Sequence, residues 1–142
     1  MSPAGQPELL VDTSAAIALL VEDHEGHAAV VVAARHLRLG LAGHAAFETY
    51  SVLTRLPPPA RVGAVTARRL LSTNFPATRF LGAPAAERTL DTIAATGITG
   101  GAVYDALVGA VAAAHQVDLL TRDRRALDTY RAVGAEARLV PG

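Results

Sequence analysis

Four acidic residues stand where a fold could bring their carboxylates together. Asp12 and Asp123 each come at the end of an apolar run that is typical of a buried strand. Glu48 and Asp105 lie near the starts of two apolar segments that are typical of helices. Each residue alone could cap a helix or complement a helix dipole. Together, four like charges in one place are costly unless a cation lies among them.

The chemistry of these ligands indicates which ion they would hold. The ligand atoms are oxygens only, because the chain has no cysteine and the four short acidic motifs contain no histidine. Such a set suits Mg²⁺ or Mn²⁺, which keeps several waters and is completed by phosphate oxygens of a substrate. The chemistry that such an ion would serve is phosphodiester hydrolysis, because one or two metals activate a water, orient it for in-line attack and neutralise the leaving oxygen.

Three hydroxyl groups accompany the carboxylates at the ends of the same two strands. They belong to Thr13, Ser14 and Thr121. A hydroxyl at this position could orient a water or hold a ligand. For Thr13 or Ser14, capping the helix that follows is the simpler interpretation.

Three arginines surround the carboxylate of Asp123. They are Arg122, Arg124 and Arg125. Because the arginine side chain grips phosphate with two parallel hydrogen bonds, we predict that these residues hold a phosphate backbone. A solvated helix start is the alternative. The five histidines are scattered along the chain, and we interpret them as surface or helix-end residues.

The alternation of apolar runs and helical segments predicts how these side chains are positioned. It indicates a parallel sheet covered on both faces, an α/β three-layer sandwich with a short, mainly parallel central sheet. In such sheets, ligands bind outside the carboxyl ends of the strands where the strand order reverses. The expected strands are 9–11, 39–42, 78–81, 118–121 and 137–140, and the expected helices are 15–21, 25–38, 45–56, 60–72, 85–96, 101–115 and 124–133.

Length and composition exclude several classes of protein. The 142 residues predict one domain at 8–142 after a loose, disordered tail at 1–7, which does not resemble a secretory signal. The absence of cysteine excludes disulfides, thiolate metal sites and a cysteine nucleophile. The absence of lysine excludes a Walker P-loop, a Schiff-base enzyme and a receiver-type phosphorelay. No uncharged apolar run is long enough to span a membrane.

The acidic motifs, in this order and separation, resemble those of the PIN-domain ribonucleases. They are V-D-T-S-A at 11–15, the helix that carries Glu48, Y-D-A at 104–106 and L-L-T-R-D-R-R at 119–125. Within that family the chain resembles the VapC toxins of prokaryotic type II toxin–antitoxin pairs, over nearly its whole length. The resemblance implies a PIN-like sandwich, a Mg²⁺ or Mn²⁺ site and endonucleolytic cleavage of single-stranded RNA.

The resemblance also implies residue roles and partners. Asp12, Glu48 and Asp105 match the three central acidic positions, which are both catalytic and metal-binding. Asp123 matches the fourth and least constant position, with Asp128 as its alternative. The arginines would then hold the RNA backbone. The implied partners are a second copy of the chain and a VapB-type antitoxin in a groove lined by helices around 15–21 and 45–72, all in the cytoplasm.

Two other functions remain open at this point. An aspartyl-nucleophile phosphatase expects a second aspartate two residues after the first, but that position is Ser14. A PIN-like scaffold would bind RNA or protein without cleaving it. The presence of all four carboxylates weighs against such a scaffold, although their presence alone does not establish their geometry.

Overall fold

Four short parallel strands form the centre of the computed structural model, which describes residues 6–141. The strands are β1 (Glu8–Val11), β2 (Arg38–Leu41), β3 (Leu119–Thr121) and β4 (Ala137–Leu139). They lie in the order β2-β1-β3-β4, and every pairing is parallel. The predicted fold class is therefore confirmed. Residues 1–5 of the predicted tail and Gly142 lie outside the described part of the chain.

Helices connect the strands and cover both faces of the sheet. They are α1 (Thr13–Leu20), α2 (His27–Ala34), α3 (His44–Thr54), α4 (Ala64–Asn74), α5 (Ala83–Thr96), α6 (Ala102–His115) and α7 (Leu127–Ala132), the last preceded by a 3₁₀ turn at Arg124–Ala126. Among the described residues, no helix has the length and apolar character that crossing a membrane requires.

The alternation of side chains along β1 divides the core into two layers. Leu9 and Val11 pack on one face of the sheet with α1, α2 and α4. Leu10 packs on the opposite face with α6 and α7. Because successive side chains of a strand point to opposite faces, an unbroken apolar run is what a strand covered on both sides requires.

The cap of α1 differs from the sequence-based prediction. We expected Thr13 or Ser14 to cap this helix, but the helix begins at Thr13 and its cap is Asp12, whose side chain accepts a hydrogen bond from the Ala15 amide. An aspartate at this position satisfies an amide that would otherwise lack a partner within the helix. The first site carboxylate therefore also fixes the start of a helix.

The predicted strand at 78–81 is wrong. Within the described residues this segment makes a single isolated bridge, between Ala42 and Arg79. The Leu41 amide donates its hydrogen bond to the Thr78 hydroxyl oxygen instead of to a backbone carbonyl, so a regular ladder does not form there.

Three helices are shorter than their apolar patterns predicted. The helix expected at 25–38 ends at Ala34, and His36 takes a positive φ of 66° before β2. The helix expected at 60–72 begins only at Ala64. The helix expected at 124–133 starts as the 3₁₀ turn and becomes α-helical at Leu127. These differences lie at helix ends, where caps and turns rather than apolar periodicity decide the conformation.

Candidate functional site

The predicted site lies at the carboxyl edge of the sheet, where the strand order reverses. From β1 the chain moves to β2 on one side, and later returns to β3 on the other side of β1. Asp12 follows β1 and Asp123 follows β3, so these two acidic residues lie on either side of the reversal. This is the place where open parallel sheets bind their ligands.

The Asp12 carboxylate is buried and accepts four hydrogen bonds. It is 3% exposed. Its Oδ1 atom accepts from the Ser14 hydroxyl at 2.6 Å and from the Ala15 amide at 3.0 Å. Its Oδ2 atom accepts from the Thr121 hydroxyl and from the Tyr130 hydroxyl, the latter at 2.7 Å. Two of the three predicted positioning hydroxyls therefore orient Asp12 itself.

The same two hydroxyls connect Asp12 to the loop after β3. The Ser14 oxygen accepts a hydrogen bond from the Arg122 amide at 2.8 Å, and the Thr121 oxygen accepts one from the Asp123 amide at 2.9 Å. Each hydroxyl thus donates to one carboxylate and accepts from one backbone amide. This arrangement fixes the Asp12 side chain relative to Asp123.

Sequence reasoning missed Tyr130 as a site residue. It lies on α7 with 2% of its surface exposed, and it is the third hydroxyl that donates to Asp12. Burial raises the pKa of Tyr130 far above that of an ordinary tyrosine, and the charge of Asp12 raises it further. The phenol therefore stays a proton donor. The only signal in the sequence was a tyrosine on the apolar face of the last helix.

Asp105 is the carboxyl whose pKa the other three site carboxylates raise. It lies in the first turn of α6 and is half-buried. Burial raises the pKa of Asp105, and the negative charges of Asp123, Glu48 and Asp12 raise it further. The structure therefore brings all four predicted carboxylates close enough to repel one another at this residue.

Asp123 and Asp128, the two candidates for the fourth acidic position, differ in their relation to Asp105. Asp123 is among the charges that raise the pKa of Asp105, and Asp128 is not. Asp128 lies exposed in the first turn of α7. Asp123 caps the 3₁₀ turn by accepting a hydrogen bond from the Arg125 amide at 3.0 Å. The geometry thus favours Asp123 over the alternative.

The surroundings of Glu48 contain two residues that we had not placed in the site. His44, at the start of α3, has its Nε2 atom 3.7 Å from Glu48 Oε1. Its ring stacks on that of Tyr104, with centroids 4.9 Å apart and an interplanar angle of 21°. His44 was interpreted as a surface or helix-end residue. The one-turn spacing between His44 and Glu48 was the signal that could have found it.

The three arginines differ in their surroundings. Arg124 and Arg125 are exposed, and Arg125 is close enough to Asp105 for its charge to oppose the rise in the pKa of that residue. Arg122 is half-buried, and a Cβ atom added at Gly26 would lie 2.3 Å from its guanidinium carbon. Its Nε atom is buried and has no hydrogen-bond partner within residues 6–141. Arg122 therefore packs against the start of α2.

Two observations bear on whether these residues fit a divalent ion. The oxygen-only donor set and the mutual repulsion at Asp105 fit a hard cation. The Thr13 hydroxyl is buried without a hydrogen-bond partner among residues 6–141, which leaves a polar atom that a water or ligand would satisfy. However, no three acidic or histidine side chains of residues 6–141 are close enough to enclose an ion as they stand. The donor types fit, and the carboxylates must move inward to bind.

An apolar groove of about 630 Å³ lies near α3. The rings of Phe47, Tyr50, Phe75 and Phe80 line it, together with side chains of α4. We refer to it as the α3–α4 groove. The predicted groove included residues 15–21 among its walls, but the α3–α4 groove is lined without them.

With this geometry in hand, comparison with known proteins identifies the family. The family model described as PIN domain matches residues 9–132. The match spans most of the chain and includes all four acidic positions. The chain therefore belongs to the PIN-domain family.

Sequence similarity narrows this class to one group of ribonucleases. The chain is 51% identical over 129 residues to Ribonuclease VapC27 of Mycobacterium tuberculosis, a match that covers 91% of this chain and 94% of that protein. The predicted resemblance to VapC proteins is confirmed, and a ribonuclease is favoured over the non-catalytic scaffold.

Two crystal structures show the same fold at low sequence identity. One is VapC20 of Mycobacterium tuberculosis, described as a sarcin-ricin loop cleaving toxin, with a TM-score of 0.66, 23% identity and coverage of 92% of this chain and 98% of that chain. The other is VapBC2 from Rickettsia felis bound to a promoter DNA fragment, with a TM-score of 0.61, 11% identity and coverage of 93% and 98%.

Proposed function

We propose that this chain is a divalent-metal-dependent endoribonuclease and the toxin of a VapBC pair. The observation that carries the proposal is the convergence of three carboxylates on Asp105, whose pKa is raised both by burial and by their charges. A fold that gathers like charges in a half-buried place incurs a stability cost that a bound cation would remove. The relationship to VapC ribonucleases supports RNA as the substrate.

Asp12, Glu48, Asp105 and Asp123 are the residues that would hold Mg²⁺ or Mn²⁺. A divalent ion held there would activate a water for attack on phosphorus and would neutralise charge on the leaving oxygen. Three hydroxyls and one amide hold the two oxygens of Asp12 and occupy its lone-pair positions, so Asp12 would exchange at least one of these hydrogen bonds for the ion. Asp105 and Glu48 would approach the ion from α6 and α3.

Arg124 and Arg125 are the residues that we assign to the RNA backbone. Both are exposed beside Asp123, and arginine binds phosphate with charge-assisted hydrogen bonds. Arg122 anchors the loop after β3, because its side chain packs on Gly26. The predicted set of three phosphate-binding arginines is therefore proposed here as two, with Arg122 as a structural neighbour.

The α3–α4 groove is the place that we assign to a VapB-type antitoxin. Its aromatic lining suits the apolar face of a partner segment, and it adjoins the helix that carries Glu48. The occurrence of VapBC2 as a complex among the structural neighbours supports a partner of this kind. We further propose a homodimer and a cytoplasmic place of action, where the RNA substrate is found.

The proposed activity is tested by RNA cleavage with purified, antitoxin-free protein. Wild type is compared with Asp105→Asn and with Asp91→Asn, a matched change at an exposed aspartate of α5. Asp105→Asn is preferable to a change at Asp12, because Asp12 holds a helix start and three hydroxyls.

We expect wild type and Asp91→Asn to cleave unpaired RNA in Mg²⁺ or Mn²⁺ and to stop in EDTA. Asp105→Asn should not cleave under any of these conditions. RNA binding without cleavage by the wild type, in the presence of either ion, would instead support a non-catalytic scaffold. Cleavage that continues in EDTA would exclude the metal-dependent mechanism.

A further inference from the structure

Two stacked rings from different helices adjoin the carboxylates. His44 begins α3 and Tyr104 lies in the first turn of α6, with their ring centroids 4.9 Å apart. One helical turn separates His44 from Glu48, and Tyr104 directly precedes Asp105. The pair is therefore attached to the same two helices that carry two of the four site carboxylates.

Tyr104 is one of the few aromatic residues of the chain, and its ring is exposed. The chain has only three tyrosines and three phenylalanines. Tyr130 and Phe75 are buried, whereas Phe47, Phe80 and Tyr104 are 65%, 51% and 51% exposed. Phe47 and Phe80 line the α3–α4 groove, and Tyr104 does not. His44 stacks on one face of the Tyr104 ring, and half of the Tyr104 surface remains in contact with solvent. An aromatic surface is thus held in a fixed orientation at the rim of the site.

An RNA strand needs attraction on this side of the site. The carboxylates repel its phosphates, and the two arginines that we assign to the RNA backbone adjoin Asp123 in the chain, whereas His44 is the residue beside Glu48. A base that stacks on an aromatic ring supplies attraction without charge. Bases in a duplex are already stacked, so only an unpaired base is free to do so.

We propose that the stacked pair of His44 and Tyr104 is a platform for an unpaired base of the RNA, next to the phosphate that is cleaved. This inference rests on the proposed ribonuclease function, in which the substrate is unpaired RNA, and assigns the residues that would bind one of its bases. Stacking tolerates every base, because each base has a π face. The platform therefore selects the single-stranded state of the RNA more than its sequence.

A second copy of the chain is a less suitable occupant of this surface. A symmetric contact would place the same patch of both copies face to face. Glu48 and Asp105 of one copy would then approach those of the other, and like charges brought together across an interface are unfavourable. The charge pattern favours a base over a second protomer.

The test uses a single-stranded RNA in which 2-aminopurine alternates with uridine, because the fluorescence of 2-aminopurine falls when it stacks. Binding is measured in Mg²⁺ with the Asp105→Asn chain, which leaves the RNA intact. This chain is compared with versions that also carry Tyr104→Ala, Tyr104→Phe or Leu90→Ala. Leu90 is an exposed apolar residue of α5 and serves as the control.

We expect the fluorescence to be quenched by the Asp105→Asn chain and by its versions with Tyr104→Phe or Leu90→Ala. The version with Tyr104→Ala should not quench it. In chains with an intact Asp105, Tyr104→Ala should raise KM about 10-fold with little change in kcat, the loss expected for one stacked base. Melting temperatures confirm that the variants are folded.

Three results would overturn the inference while leaving the proposed ribonuclease intact. The first is cleavage by the wild type with no quenching in the Asp105→Asn chain. The second is equal quenching with and without the Tyr104 ring. The third is a Tyr104→Ala chain that changes its oligomeric state in light scattering but not its KM. Failure of the wild type to cleave any RNA would instead reject the proposed function.

Discussion

Two aspartates of the site have opposite environments. Asp12 is buried, but hydroxyls and an amide donate four hydrogen bonds to it, so its charge is well supported. Asp105 is half-buried, and burial and neighbouring carboxylates raise its pKa. Asp12 therefore gives the site its fixed geometry, whereas Asp105 carries the repulsion that a cation would relieve.

The raised pKa of Asp105 predicts a pH dependence of the metal-free protein. The folded state holds the Asp105 proton more tightly than the unfolded chain, so this residue favours folding below the ordinary pKa of an aspartate. That contribution is lost as the pH rises through the raised pKa. We expect Asp105→Asn to raise the melting temperature in EDTA at neutral pH. In acid the same substitution should lower the melting temperature or leave it unchanged.

The measurement is a series of melting curves in EDTA from acid to neutral pH, with Asp91→Asn as the control. The difference between Asp105→Asn and wild type should grow as the pH rises, and the control should show no such trend. A difference that is constant with pH, or that has the opposite sign at neutral pH, would show that Asp105 is not under charge repulsion.

At the residue scale, the sequence predicted the carboxylates better than their partners. Asp12 and Asp123 could be found because they follow apolar strand runs, and the sheet brings the ends of neighbouring strands together. Tyr130 could not be found, because the sequence does not show that α7 packs with this side chain toward Asp12, 118 positions earlier in the chain. His44 was missed because its spacing relates it to a carboxylate, Glu48, and not to another histidine with which it could bind a metal.

At the scale of elements, the turn from β2 into α3 determines how close Glu48 comes to α6. Gly43 forms this turn with φ of +54°, a conformation that side chains other than glycine rarely adopt. A Cβ atom there would lie 2.6 Å from Val111 Cγ2 on α6. The missing side chain lets the start of α3 lie directly on the helix that carries Asp105.

We predict that Gly43→Ala lowers the free energy of unfolding by about 2–5 kcal/mol, through backbone strain and overpacking. Urea denaturation measures this as a lower midpoint. Gly101→Ala is the control, because Gly101 has a helical conformation with φ of −62° and open space around it. A Gly43→Ala chain with the midpoint of the control would refute this explanation of the turn.

The sequence predicted which elements exist better than where they end. Apolar runs gave β1, β3 and α6 nearly as observed, since these elements are defined by burial. The false strand at 78–81 arose because the Thr78 hydroxyl takes the place of a backbone acceptor. A side-chain hydrogen bond to a distant strand leaves no trace in apolar periodicity.

At the scale of the whole molecule, the net charge of zero conceals an uneven distribution. The acidic residues converge at the carboxyl edge of the sheet, and Arg124 and Arg125 lie exposed beside them. Arg125 lies 3.6 Å from Asp123, and Arg138 forms an ion pair with Asp118 at 2.6 Å, before β3. Arg124 and Arg125 flank the acidic edge directly in the chain, and we assign the phosphate contacts to them rather than to the exposed arginines elsewhere.

This distribution predicts the salt dependence of RNA binding. With Asp105→Asn as the background, Arg124→Ala and Arg125→Ala should each reduce the slope of log Kd against log salt by about 0.7, the value for one lost phosphate contact on a single strand. Fluorescence anisotropy across a salt series measures the slope. Arg138→Ala should leave it unchanged, and an equal loss in all three variants would contradict a local phosphate site.

The most direct measurement is calorimetric titration of Mn²⁺ into the metal-free protein, since the central claim is that the four carboxylates form one cation site. Wild type and Asp91→Asn should bind with equal affinity. Asp105→Asn and Glu48→Gln should each bind at least roughly 10-fold more weakly, the minimum for losing a group that supports a metal. Equal Mn²⁺ affinity in all four chains would contradict the claim.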